Sequence, residues 1–182
     1  DLYARLEQET GHATGFRPVG HLSVATTAAR METLVRERDF QVGFGVPNEI
    51  VTPAQIAELF PLAKVDDLIG GSYVADEGRA DPVGVATSMA KGARLGGAQI
   101  VEGVQVTGFL REGQRITGVQ TDAGHVEAEI VVNCAGQWAK AVGAMAGVNV
   151  PLHSAEHFYV VTDQIAGVDR MLPILRDPDG YT

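Results

Sequence analysis

The stretch His153-Ser-Ala-Glu156-His157 contains the residue types that hold and use a catalytic metal. Its H-x-x-E-H pattern matches a zinc protease signature, in which both imidazoles and the glutamate come from one helix. Pro151 precedes the pattern and the β-rich sequence FYVVT follows it, so we expect a strand here. On a strand His153 and His157 share a face, Glu156 points the other way, and no third ligand is evident. The sequence therefore predicts no metal site.

The turn within IVVNCAGQWAK, residues 130–140, is a second place where chemistry is possible. Apolar residues lead to Ala135-Gly136 and a helix is expected next, which is how an open α/β sheet presents backbone N–H groups to a phosphate. A buried strand that simply leaves a sheet, with Trp138 as a packing residue, has the same sequence pattern. Cys134 is not expected to be a nucleophile, because an apolar environment disfavours its thiolate.

Composition excludes several classes of function. The net charge is −9 over 182 residues, so neither nucleic acid nor an anionic membrane, which both attract basic proteins, is an expected partner. No apolar run reaches the roughly 20 residues of a membrane span, and the first residues do not resemble a signal peptide. The single cysteine fits a reducing compartment or a protein that needs no disulfide bonds. The expected compartment is the cytoplasm in a bacterium or the mitochondrial matrix in a eukaryote.

Helix and strand signals alternate over the first half of the chain. Apolar spacing and Gly/Pro punctuation predict, in order, a helix that ends at Gly11, a strand pair within 15–26, a helix over 27–40 and a strand over about 69–75.

Two further helices are expected to begin with a cap and a proline. Thr52 and Asp81 each precede a proline, which suits the first helical position because its φ angle is already helical. In the second of these helices Val85, Met89 and Leu95 are expected to form the buried side.

The periodicity changes to alternation after about residue 98. Turn signals at 112–114 and 122–124 separate alternating runs, which predicts a three-stranded meander. A strand is expected before it, and a strand covered on both faces is expected after it, over about 126–135. Further strands are expected within 150–165 and 171–177. A meander between parallel strands distinguishes the FAD-type dinucleotide fold from a plain Rossmann crossover. The predicted class is α/β: an FAD/NAD(P)-binding-type sheet with an inserted meander, and part of a mixed-sheet substrate domain.

Six stretches together resemble the D-amino-acid-oxidase-like FAD-dependent oxidoreductases, most closely the sarcosine and dimethylglycine dehydrogenases. They are LYARLEQETG, GFRPVGHLSVATT, EGRADPVGVATSMAKGARLGGA, VVNCAGQWA, EHFYVVT and LRDPDGY. Glu77 departs from the family's D-G-x-x-D-P turn, where an aspartate stands. The likeness implies FAD as cofactor. It also implies a GxGxxG turn before the first helix and a glycine-rich stretch after the last strand, so the chain is expected to be the middle of a larger flavoenzyme. The chain's own GxG, at 43–45, lacks the third glycine.

The resemblance also assigns cofactor-binding residues. It implies that Val106 faces the adenine and that Cys134, Ala135, Gly136 and Trp138 approach the ADP part of FAD. Small residues suit this role because they let the backbone come close to a ligand.

The resemblance places His157 and Tyr159 in the active site. Relatives that oxidise dimethylglycine have a histidine over the flavin in an H-x-Y-V-x-T strand, which matches His157 to Thr162. Histidine can share a proton near neutral pH, and residues two apart on a strand share a face. A half-buried sheet histidine is the alternative. Tyr181 lies near the position of a substrate-binding tyrosine.

The implied reaction is oxidation of the C–N bond of an N-methylated glycine or a similar amino acid, with hydride transfer to FAD. Residues 80–150, with helix 1–11, are expected in the FAD domain, and 12–79 and 151–182 in the substrate domain. Partners would be the small amine substrate and, through a further domain, tetrahydrofolate. Two alternatives remain: a catalytically silent regulatory homologue, and a sibling oxidase or dehydrogenase, such as one acting on glycerol 3-phosphate.

Overall fold

The computed structural model describes residues 2–177, which form two compact units. The described residues up to Gln99 and from Thr162 onward form the first, which we call the sheet unit. Residues 100–161 form the second, which we call the meander unit. The domain boundaries expected from the sequence differ from these limits and stay a prediction.

The described elements alternate between helices and strands over the first half of the chain, and a long segment without helix or strand separates the last helix from the last strand. In chain order they are α1 Leu2–Thr10, β1 His21–Ala25, α2 Ala28–Gly43, β2 Glu49–Val51, α3 Pro53–Leu59, β3 Gly70–Val74, α4 Pro82–Leu95, β4 Val106–Glu112, β5 Arg115–Thr121, β6 Gly124–Glu127, a 3-10 turn Gly136–Trp138, α5 Ala139–Met145 and β7 Ile174–Arg176. The chain therefore mixes helices and strands, as expected.

A mixed sheet with the order β2-β3-β1-β7 organises the sheet unit. β1 is central: it pairs antiparallel with β3 and parallel with β7. Its Leu22 and Val24 pack with Val51 and Ile56 in a buried apolar cluster. Leu22 and Ile56 are fully buried, so this cluster is where the hydrophobic effect contributes most to the unit.

Both predicted helix caps are confirmed. Thr52 and Gln55 form a capping box at the start of α3, with side chain and backbone bonded in both directions. The Asp81 carboxylate accepts hydrogen bonds from the N–H groups of Val83 and Gly84 at the start of α4. These signals are local, so the rest of the fold does not override them.

The prediction for the buried side of α4 is wrong for Met89 and Leu95, and Val85 is half-buried. Met89 and Leu95 are 41% and 68% exposed, whereas Gly84 and Ser88 are buried. α4 packs against α1, and the Ser88 hydroxyl lies 2.8 Å from the Thr10 hydroxyl. A Cβ atom at Gly84 would lie 2.7 Å from the Ala13 carbonyl oxygen, so small residues set this face.

The strand pair expected within 15–26 is also only partly present. Only β1 forms as a strand, and Arg17 makes an isolated bridge to Arg79. Pro18 follows Arg17 and has no N–H group, so it cannot extend the pairing.

The three-stranded meander is confirmed. β4, β5 and β6 pair antiparallel in sequence order. Gly113 in the first turn has a φ angle of +60°, which a glycine adopts at little cost. α5 packs against β4.

The strands expected around the meander are not formed. β6 ends at Glu127, and the next residue adds one backbone bond, from the Ala128 N–H to the Thr117 carbonyl. Ile130 and Val132 are 80% and 73% exposed, not covered on two faces. No strand forms directly before β4, between residues 96 and 105, or within 150–165 either, and no described strand pairs with these residues. β7 confirms the strand expected within 171–177.

A substitution at Gly118 tests the meander. A Cβ atom there would collide with the Val126 carbonyl oxygen of the neighbouring strand, so Gly118→Ala should displace β6 and lower stability by about 1–3 kcal/mol. Gly108→Ala is the matched control, because its Cβ would meet only the flexible Gln120 side chain, at 2.9 Å. Thermal unfolding of the full-length protein measures both. Equal midpoints for the two variants would contradict the pairing.

Candidate functional site

A largely apolar cavity of about 450 Å³ lies within the meander unit. One wall comes from the β4 and β5 side chains Phe109, Ile116 and Val119. α5 supplies a second wall with Val142, Gly143 and Ala146. The rest of the lining is Val106, residues 129 and 131–135, Val148 and Val150.

The cavity brings together three of the residues predicted to contact the cofactor. Val106, at the start of β4, lines it together with Cys134 and Ala135 from the turn before α5. Gly136 and Trp138 are not among its lining residues, and Trp138 is 66% exposed. The geometry thus supports a shared site for the two separated segments.

The chemistry of the lining suits an aromatic ring better than a bare phosphate. Glu129 is its acidic residue, Asn133 is its amide, and none of the described lining residues is Lys or Arg. Pockets for cofactor rings are mostly apolar with a few polar groups that set orientation. α5 has seven residues, so its dipole is a weak attraction for an anion.

Asn133 holds the turn between the cavity and α5. Its side-chain oxygen accepts a hydrogen bond from the Ala135 N–H at 3.2 Å, and its amide nitrogen donates to the Ala139 carbonyl at 2.9 Å. Sequence reasoning missed this residue. The available signal was an asparagine directly before a small-residue turn, where such side chains commonly bond to the backbone.

An aspartate holds the start of β4 in a similar way. The Asp122 carboxylate accepts a hydrogen bond from the Gln105 N–H at 3.0 Å, and the Asp122 N–H donates to the Gln105 carbonyl at 3.1 Å. The N–H and carbonyl groups of Gln105, the residue before Val106, are therefore both hydrogen-bonded. This fixes the chain direction where Val106 enters the cavity wall.

Cys134 is exposed at the turn. The strand that was expected to contain Cys134 does not form, so the residue is not buried, although it lines the largely apolar cavity. Its side chain is therefore accessible to reagents.

The strand expected to carry His157 and Tyr159 is not formed. Both residues are exposed, Tyr159 by 85%, and neither lines the cavity. Because a shared face depended on a strand, the structure does not show one for this pair. Their catalytic roles stay a prediction. Tyr181 lies outside the described residues.

The H-x-x-E-H stretch does not have the helical geometry of a zinc site. Residues 153–157 are in no helix. Within residues 2–177, no group of three or more His, Cys, Asp or Glu side chains is placed to hold a metal ion.

Comparison with known proteins settles the family. The family model for DAO, the FAD-dependent oxidoreductases, matches residues 1–182. The chain belongs to this family. The cofactor of the family is FAD, as predicted, and the predicted fold class is confirmed.

Several curated relatives are closely similar. The chain is 42% identical to human mitochondrial sarcosine dehydrogenase over 179 residues, which is 96% of the chain and 19% of that protein. It is 36% identical to rat mitochondrial dimethylglycine dehydrogenase over 182 residues, with 98% and 21% covered. It is 40% identical to the mouse mitochondrial pyruvate dehydrogenase phosphatase regulatory subunit over 163 residues, with 88% and 19% covered. The chain thus spans about a fifth of the length of these relatives.

A solved structure agrees with this assignment. L-proline dehydrogenase from P. horikoshii superposes with a TM-score of 0.73 at 34% identity, over 81% of this chain and 39% of that one. No helix among the described residues has both the length and the apolar character needed to cross a bilayer.

Substitution of Gly143 tests the packing of α5 against the segment that contains Val148 and Val150. A Cβ atom there would lie 2.5 Å from Val150 Cγ2 and 3.1 Å from the Val148 carbonyl oxygen. Gly143→Ala should therefore cost about 1–3 kcal/mol of unfolding free energy, measured by calorimetry of the full-length protein. Adding Val150→Ala removes the nearer contact and should restore part of the loss. An unchanged midpoint for the single variant would contradict this packing.

Proposed function

We propose that the protein containing this chain oxidises the C–N bond of an N-methylated glycine, sarcosine or dimethylglycine, or of a similar amino acid. The observation that carries the proposal is the cavity that joins Val106 to Cys134 and Ala135 in a chain of the FAD-dependent family. Identity to sarcosine dehydrogenase of 42% and to dimethylglycine dehydrogenase of 36% supports this substrate class.

The residues of the cavity fit the adenosine end of FAD. Val106 would face the adenine within the apolar lining, and the turn with Cys134, Ala135, Gly136 and Trp138 would approach the ADP part of FAD. A Cβ atom at Gly136 would meet nothing within 4 Å, so the space beside this glycine is open. In this proposal residues 80–150, with helix 1–11, belong to the FAD domain, and 12–79 and 151–182 to the substrate domain.

FAD, when bound, supplies the acceptor for the hydride that leaves the N-methyl or α carbon of the substrate. We assign the proton-transfer step of the reaction to residues of this chain. His157 accepts a proton from the substrate ammonium at an imidazole nitrogen, because the amine lone pair must be free to form the C=N bond. Tyr159 orients the substrate through its hydroxyl. Oxidation leaves an iminium, which water converts to an aldehyde and an amine.

A folate partner extends the proposal. Tetrahydrofolate, bound to a domain outside this chain, would take up the one-carbon unit of the iminium in place of water. The substrate carboxylate would be bound by an Arg or Lys side chain. The reducing compartment proposed for the protein is the mitochondrial matrix in a eukaryote or the cytoplasm in a bacterium.

A regulatory protein is the second candidate. The specific observation in its favour is the 40% identity to the pyruvate dehydrogenase phosphatase regulatory subunit, which nearly equals the identity to sarcosine dehydrogenase. A regulatory homologue would be a binding module without turnover. The flavin content of the purified full-length protein and its reduction by substrate separate the two candidates.

Anaerobic reduction of the bound flavin tests the proposed reaction. Sarcosine or dimethylglycine should bleach the flavin absorbance of the full-length protein, and glycerol 3-phosphate should not. His157→Asn should slow the bleaching by about 100-fold or more, because general base catalysis contributes that much, while flavin content stays unchanged. Absence of flavin from the full-length protein would favour the regulatory candidate. Flavin that no amine reduces would contradict the reaction.

Alkylation of Cys134 tests the position of the cofactor. Cys134 is exposed and lines the cavity, so iodoacetamide should modify it in the apoprotein. Adding FAD, or ADP alone, should slow this modification at least several-fold, as followed by mass spectrometry of the peptide that contains it. Other accessible thiols of the full-length protein provide the internal control. Equal rates with and without FAD would place the adenylate elsewhere.

A further inference from the structure

We propose that Asn133 is a positioning residue that shapes the turn at residues 134–138 for the adenylate part of FAD. This inference rests on the proposed function, because it takes the cavity beside the turn as the FAD site. Asn133 lines that cavity itself.

The side-chain amide of Asn133 bonds to the backbone of the turn through both its oxygen and its nitrogen. Its oxygen accepts the N–H of Ala135 at 3.2 Å, and its nitrogen donates to the carbonyl of Ala139 at 2.9 Å. Between Ala135 and Ala139, the Trp138 N–H donates a hydrogen bond to the Ala135 carbonyl oxygen at 2.9 Å. The side chain thus ties the cavity-lining residues to the first residue of α5.

The two bonds require an asparagine. Its amide has one acceptor and one donor group on a short, planar side chain, and each is used here. In Asn133→Asp the donor is replaced by an oxygen that would face the Ala139 carbonyl oxygen and repel it. Asn133→Ala removes both bonds without adding charge.

The backbone turn between Ala135 and Ala139 also depends on the two hydrogen bonds of the Asn133 side chain. The Ala139 N–H bonds to the Gly136 carbonyl, and Gly136 has a φ angle of +53°, so the backbone reverses sharply within the closed segment. The Cys134 and Ala135 side chains lie on the cavity side of the turn. Loss of the two side-chain hydrogen bonds would therefore move Cys134 and Ala135, which are proposed to approach the ADP part of FAD.

Ligand titration of the full-length apoprotein tests this role. FAD, ADP and FMN are the probes: FAD and ADP contain the adenylate, and FMN lacks it. Asn133→Ala should bind FAD about tenfold more weakly, which corresponds to about 1.4 kcal/mol, because a turn without its two side-chain hydrogen bonds must be ordered when the ligand binds. ADP should compete more weakly by a similar factor, while FMN affinity stays within twofold.

One further variant controls for charge, and a thermal measurement controls for stability. Gln137→Glu adds a negative charge to the same turn and keeps the Asn133 bonds, so its FAD affinity should exceed that of Asn133→Asp. The thermal midpoint of each apoprotein reports general destabilisation. Equal losses of FMN and ADP affinity in Asn133→Ala, or FAD affinity within twofold of the unaltered protein, would overturn the positioning role alone. An unaltered protein that binds no FAD would overturn the proposed function, and this inference with it.

Discussion

Antiparallel pairing among β4, β5 and β6 is the interaction on which the candidate site depends. These strands are neighbours in sequence, so short turns close them and their backbone groups are satisfied within one short segment. The sheet then presents Phe109, Ile116 and Val119 on one face as a cavity wall. α5 and the turn before it complete the lining, so the meander determines where Val106 meets Cys134 and Ala135.

Close backbone approach at glycine is a second constraint, and it recurs at several contacts. Gly84 allows α4 to approach the segment after α1, Gly118 allows β6 to approach β5, and Gly143 allows α5 to approach Val150. At each position a Cβ atom would meet backbone or a branched side chain at short range. The packing of both units therefore depends on small residues as well as on apolar burial.

Sequence patterns predicted the local features well. The caps at Thr52 and Asp81 and the two meander turns depend on residues within a few positions of each other, and all of them formed. The failures concern partners distant in the chain. The apolar strand expected over about 126–135 is not formed beyond Glu127, and the strand expected within 150–165 is not formed, since no described strand pairs with these residues. The buried side of α4 depends on α1, and periodicity alone does not show that Gly84 and Ser88 face it. Asn133 was missed although its partners Ala135 and Ala139 are near in sequence, because the pattern shows a turn but not which backbone groups the side chain bonds to.

Four consecutive apolar side chains, Phe158 to Val161, are 82–90% exposed. Such a segment has high β propensity, no charge and no proline, which is the composition of aggregation-prone stretches. During synthesis on the ribosome it emerges before any later strand could cover it, so misassociation competes with folding at that stage. Chaperone capture of the nascent polypeptide would protect it, and the yield of recombinant protein would then depend on expression temperature and chaperone supply.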